Sequence, residues 1–87
     1  MPLSKTKNIL AKTLDGEIVI LKKEDRKCYL LNRTASHLWR LVNGKNSAKT
    51  LAKSLSRKYK IKFSSAEKDT KVLLAYLAKH NLLNLRG

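Results

Sequence analysis

The stretch Cys28-Tyr-Leu-Leu-Asn-Arg-Thr-Ala-Ser-His-Leu-Trp-Arg-Leu-Val-Asn43 decides the fold, because a short apolar strand ends at Asn32 and a helix starts there. Leu30 and Leu31 suit a strand. The Asn32 side chain can accept a hydrogen bond from an unpaired amide of the first helical turn, and Ala35, Leu38, Trp39 and Val42 then recur at helical spacing. The chain before this junction reads as sheet and the chain after it as helix.

Working outward towards the N-terminus, residues 1–6 read as a loose end and Asn8–Thr13 as a first strand. Asp15-Gly16 is a hairpin dipeptide, and Glu17–Lys23 is a second strand rich in β-branched residues. The polar turn Glu24–Lys27 leads into the third strand, Cys28–Leu31, giving a three-stranded antiparallel meander. Ile18 and Ile20 on one face of the second strand, and Val19 and Leu21 on the other, predict that both faces are at least partly covered.

Three helices are predicted after the junction. The first runs from about Arg33 to Val42 and stops before Asn43-Gly44; the second is capped by Ser47 and runs to about Tyr59. Ala48, Leu51, Ala52, Leu55 and Tyr59 form its apolar face, with Lys49, Lys53, Arg57 and Lys60 elsewhere. Ser64 or Ser65 can cap a third helix ending near His80, Ser64 lying three residues before Glu67 in a capping-box pattern. Thr70, Leu73, Leu74 and Leu77 cluster on one side of it, while Val72 and Tyr76 widen the apolar arc beyond one core contact, as if two neighbours were served. Asn81-Leu82-Leu83 closes the domain and residues 84–87 fray. The expected fold class is therefore α+β, a winged helix-turn-helix plan with its three-stranded antiparallel sheet placed before three helices, in a single domain spanning residues 1–87.

Composition narrows the function. An 87-residue chain buries only roughly 60% of its extended surface, so one small core is all it can build. The single cysteine, Cys28, excludes an internal disulfide and any Cys-rich metal site. No run approaches the roughly 18 apolar residues of a membrane span and no signal-peptide pattern opens the chain, which together predict a cytoplasmic protein without membrane contact. With glycine only at positions 16, 44 and 87, no phosphate-cradling loop can form. His37 reads as solvent-facing and His80 has no ligand partners nearby. Asp69 reads as a capping or lysine-paired acid, and Cys28 as a small packing residue with no base beside it. No catalytic set, cofactor site or metal site emerges.

The formal charge is +14, and no Asp or Glu occurs between Arg26 and Ala66, a block that holds Arg26, Lys27, Arg33, Arg40, Lys45, Lys49, Lys53, Arg57, Lys58, Lys60 and Lys62. Such a field favours an anionic partner: nucleic acid, an acidic peptide or an acidic protein surface. If the third strand is the end of the meander, its free amides and carbonyls can also receive an extended peptide, with Val72 and Tyr76 as a wall beside it.

The order Asp15-Gly16, apolar strand, Tyr29-x-Leu31-Asn32, Ala35, Leu38-Trp39, Asn43-Gly44, Leu51, Leu55, Tyr59, Asp69, Leu73-Leu74, Leu77 and Leu82-Leu83 resembles the PqqD-like family. These are pyrroloquinoline quinone biosynthesis protein D and its relatives, the stand-alone recognition elements for ribosomally made, modified peptides, lasso peptides among them. The resemblance covers roughly residues 14–83. It implies a non-catalytic module that binds the leader of a precursor peptide by strand addition and presents it to a modifying enzyme such as a radical SAM enzyme or a leader peptidase. Carried over, it implies Lys27, Cys28, Tyr29, Leu30 and Leu31 as the receiving edge and Asp69, Val72, Leu73, Tyr76 and Lys79 as groove residues. Cys28 stands where the family often has an aromatic, and Asn81 where a glycine commonly precedes the last apolar pair. The charge implies an acidic leader or enzyme. The competing reading is a winged-helix DNA-binding protein, with phosphate contacts from the second helix and non-specific nucleic-acid binding at low salt.

Overall fold

In a computed structural model, residues 3–84 are described. Their order is β1 (Ser4–Lys5), β2 (Ile9–Leu14), β3 (Glu17–Lys22), β4 (Lys27–Leu31), α1 (Arg33–Arg40), α2 (Ala48–Tyr59), α3 (Phe63–Lys79) and β5 (Leu83–Asn84). The expected α+β plan is present: a three-stranded antiparallel sheet in the order β2-β3-β4, followed by three helices.

Local chemistry accounts for most boundaries. Asp15 and Gly16 adopt φ of 51° and 82°, the left-handed pair that a two-residue hairpin turn needs, and Leu14 faces Glu17 across it. The Asn32 side chain accepts from Ala35 N at 2.8 Å and starts α1; Ser47 Oγ accepts from Thr50 N at 3.3 Å and starts α2. α1 is shorter than its pattern: Leu41 N donates to Leu38 O and Val42 N to Trp39 O, so the last turn tightens and closes.

α3 does not use the expected capping box. It begins at Phe63 with Lys62 as cap residue, whose side chain has no acceptor to cap with, and Ala66 N donates to Lys62 O at 3.0 Å as the first intrahelical bond. Ser64 is thus inside the first turn. Lys60, between α2 and α3, takes the left-handed conformation at φ 53° that allows Ile61 N to bond back to Ser56 O.

Two further expectations are corrected. Residues 3–6 are not a loose end: Ser4 and Lys5 pair with Asn84 and Leu83, Leu3 is 4% exposed, and Leu3 N and O bond to Asn46 O and Gly44 N. Of the segment expected to fray, Asn84 is in β5 and residues 85–87 lie outside those described, as do residues 1–2. Nor do helices cover both faces of the sheet. Ile18, Ile20, Tyr29 and Leu31 are buried on the helix side, whereas Val19 and Leu21 are only half-buried and their cross-strand neighbours Leu10 and Leu30 are 54% and 69% exposed.

Trp39, Leu38, Leu51, Leu55, Leu77 and Leu82 join Ile20 in the fully buried centre. Ser36, also fully buried, knits helix to sheet: its Oγ accepts from Ile18 N at 2.8 Å and donates to Leu31 O at 3.1 Å. Leaving two buried backbone groups without that hydroxyl would cost about 1–3 kcal/mol each. No helix among the described residues is long and apolar enough to cross a membrane.

A candidate peptide groove

Strand pairing sets which groups of β4 are free. The two-residue turn makes Leu14 and Glu17 a hydrogen-bonded pair, and Lys23 N donates to Asn8 O at 3.2 Å six residues further along the same ladder. Bonds between β2 and β3 therefore fall on alternate pairs, and Ile18, Ile20 and Lys22 direct their amides the other way, towards Leu31, Tyr29 and Lys27. The Ser36 bridge between Ile18 N and Leu31 O agrees with this phase. It follows that the N–H and C=O groups of Cys28 and Leu30 point out from β4. No other described strand pairs with that edge.

The side chains follow the opposite rule. Tyr29 and Leu31 are buried, so their contribution to the edge is to anchor it, while Cys28, Leu30 and Lys27 are exposed. The expectation that Cys28 packs as a small apolar residue is overturned: it sits on the outer face opposite Leu21, where no helix covers it.

Next to the start of α1 a cleft of about 430 Å³ opens, lined by Asn32, Thr34, Ala35, Leu38, Asp69, Val72, Leu73 and Tyr76. The broad arc of α3 explains it. Ala66, Thr70, Leu74 and Leu77 turn into the core, leaving Val72 at 64% and Tyr76 at 40% exposure on the cleft side. Tyr76 meets Tyr29 edge to face at 6.5 Å and His80 at 4.6 Å, and His80 lies 5.1 Å from Tyr29. This ring trio ties the end of α3 to β4. Lys22 Nζ, donating to His80 O at 3.1 Å, holds the same corner from below.

Of the groove residues named from sequence, the structure brings Asp69, Val72, Leu73 and Tyr76 to the cleft; Lys79 is exposed and does not line it. Asp69 neither caps a helix nor pairs with a lysine. The one ion pair among the described residues is Lys22–Asp25 at 4.0 Å, so the Asp69 carboxylate is left to the cleft. Sequence reasoning missed the wall supplied by Asn32, Thr34, Ala35 and Leu38. Asn32 was the available signal: a cap residue directly after an edge strand must stand at the mouth of whatever that edge borders.

His37 is also not solvent-facing. It is half-buried between α1 and α2, with Nε2 2.9 Å from Ser54 Oγ and its ring edge to face with Tyr59 at 6.2 Å. Burial, then the charges of Lys58 and Arg40, push its pKa below the ordinary histidine value. Among the described residues no group of three or more His, Cys, Asp or Glu could hold a metal ion.

No curated protein matches this sequence significantly. Three solved structures share the fold. TbiB1 in complex with the TbiA(beta) leader peptide is 19% identical with a TM-score of 0.87, over 97% of this chain and 98% of that one. Lasso peptide synthetase B1 complexed with the leader peptide is 20% identical with a TM-score of 0.86, over 97% and 99%. The PqqD truncation of Methylobacterium extorquens PqqCD, a stand-alone recognition element for ribosomally synthesized and post-translationally modified peptides, is 23% identical with a TM-score of 0.77, over 94% and 87%. At these identities the likeness establishes the fold alone. Family membership comes from the sequence itself: the family model described as coenzyme PQQ synthesis protein D matches residues 17–83, from β3 through the helices to β5, and the chain belongs to the PqqD family.

Proposed function

We propose that this protein binds the leader segment of a ribosomally made precursor peptide as an added strand on β4 and delivers it to a modifying enzyme, itself performing no chemistry. One observation carries this reading: the outward amides and carbonyls of Cys28 and Leu30 lie on the sheet edge that borders the apolar cleft. A guest strand would exchange up to four backbone hydrogen bonds with those two residues, each worth about 0.5–1.5 kcal/mol net. Its alternate side chains would turn inward against Val72, Leu73 and Tyr76, where each buried aliphatic group adds about 1.5–3 kcal/mol. Neither contribution alone offsets the cost of ordering a flexible peptide, which explains why edge and cleft adjoin.

Family membership and the leader complexes formed by two proteins of the same fold support the same reading. The receiving residues are Lys27, Cys28, Tyr29, Leu30 and Leu31, and the groove residues Asp69, Val72, Leu73 and Tyr76, with Lys79 exposed at the end of α3 outside the cleft lining. A net charge of +14 favours a leader with acidic residues, and a radical SAM enzyme or a leader peptidase is the kind of partner such a module serves.

Titrating a candidate leader into isotope-labelled protein tests this directly. Amides of residues 27–31 and 69–76 should shift together. Shifts confined to Lys49, Lys53 and Arg57, with the β4 edge silent, would reject strand addition. The alternative of a DNA-binding protein has the basic flank of α2 in its favour. Against it, the cleft side of α3 presents Val72, Tyr76 and Asp69 where base-reading side chains would be needed.

A further inference from the structure

The charge of the chain gathers on a second concave surface. A shallow basin of about 450 Å³ lies along α2, lined by Thr50, Lys53, Ser54, Arg57 and Lys58, and shares no residue with the peptide cleft. Three of the five lining residues are cations, two offer hydroxyls, and none is acidic. Lys49, Lys53 and Arg57 are all exposed and follow one another at about one-turn intervals, a row roughly 12 Å long at 1.5 Å rise per residue. The row sits inside the Arg26–Ala66 block without Asp or Glu, so no intramolecular carboxylate from its own helix or from α1 neutralises it.

We propose that this flank of α2 is a docking surface for an acidic segment of a partner protein, and that it works independently of the peptide groove. Charge complementarity names the chemistry: carboxylates one helical turn apart on a partner would meet Lys49, Lys53 and Arg57 in sequence. A polypeptide fits better than a nucleic-acid strand because no aromatic ring lines the basin. Tyr59, at the end of α2, is engaged edge to face with His37 at 6.2 Å and is not among the lining residues. Each exposed ion pair is weak, so binding depends on several acting together and fades with salt.

The test titrates the full isotope-labelled chain at low salt with a short oligo-glutamate peptide and, separately, with an oligo-thymidylate of equal charge. Oligo-glutamate should shift amides within residues 49–60 and leave residues 27–31 unmoved. The double variant Lys53→Gln with Arg57→Gln should weaken it by about tenfold, whereas Lys7→Gln with Lys12→Gln, an equal loss of charge at exposed sites on and beside β2, should change it less than about twofold. Glutamine keeps helix propensity, and an unchanged thermal transition verifies folding. Equal weakening by both double variants would overturn the proposal, reducing the effect to net charge. Tighter binding of the oligo-thymidylate with shifts on the same residues would also overturn it, in favour of nucleic acid.

Discussion

The two helices that pack most closely against each other, α2 and α3, turn opposite kinds of surface to the outside. α3 leaves Val72, Leu73 and Tyr76 beside an open strand edge with a single carboxylate, Asp69; α2 leaves Lys53, Arg57 and Lys58 around a basin with no acid. The first surface acts through short-range contacts, main-chain hydrogen bonds and apolar burial, which ionic strength hardly touches. The second acts through Coulomb attraction, screened within about 10 Å at 0.1 M salt. One small core thus carries a surface suited to affinity and register and another suited to steering, and substitutions on one should leave the other intact.

The sharpest way to break this division is Leu30→Pro. It removes a donor that faces the open edge while keeping an edge-strand position where proline is tolerated. Leader binding, measured by calorimetry, should weaken by about 1–3 kcal/mol, a factor of roughly 5–150. Leu30→Ala is its control: the side chain is 69% exposed on the outer face, and affinity should change by less than about 0.5 kcal/mol. If both weaken binding equally, the backbone phase assigned to β4 is wrong.

Next in size is Val72→Asp, which places a charge in the cleft at a residue 64% exposed. Peptide affinity should fall by about 1–2 kcal/mol with little change in thermal stability, because the side chain is not part of the core. A smaller effect concerns the junction of α1 with α2. The folded-state pKa of His37 is depressed, so the unfolded chain binds the proton more readily. Its stabilising contribution is complete above the ordinary histidine value of about 6.5 and is lost as pH falls through the lower folded value. Denaturant midpoints should therefore decline on acidification through this window, and His37→Gln should flatten that part of the profile. The smallest change is a gain: Lys60→Gly relieves the left-handed residue between α2 and α3 and should stabilise the fold by about 0.5–1 kcal/mol in urea unfolding.

Much of the groove was legible because its determinants are local. Asp15-Gly16 reads as a tight turn wherever it occurs, Asn32 reads as a cap, and the surplus apolar residues of α3, Val72 and Tyr76, show in the helical period. What escaped depends on partners distant in sequence. Nothing around Leu3 or Ser4 announces a strand whose complement is Leu83–Asn84, since two-residue pairs carry no periodicity. His37 and His80 look unattached until Ser54, Tyr59, Tyr29 and Tyr76 are brought to them. Ser64 and Glu67 have the capping spacing, yet backbone bonding two residues earlier takes precedence. Ser36, on a helix that is amphipathic without it, reveals its role only when strand and helix meet.

The pairing of Ser4 with Asn84 brings the beginning and the end of the fold to neighbouring points on a single small ribbon. Anything joined in frame to either end therefore departs from the same pole of the molecule. Swapping a tethered neighbour from one end to the other would alter gene order while barely altering the radius within which that neighbour can reach the β4 edge.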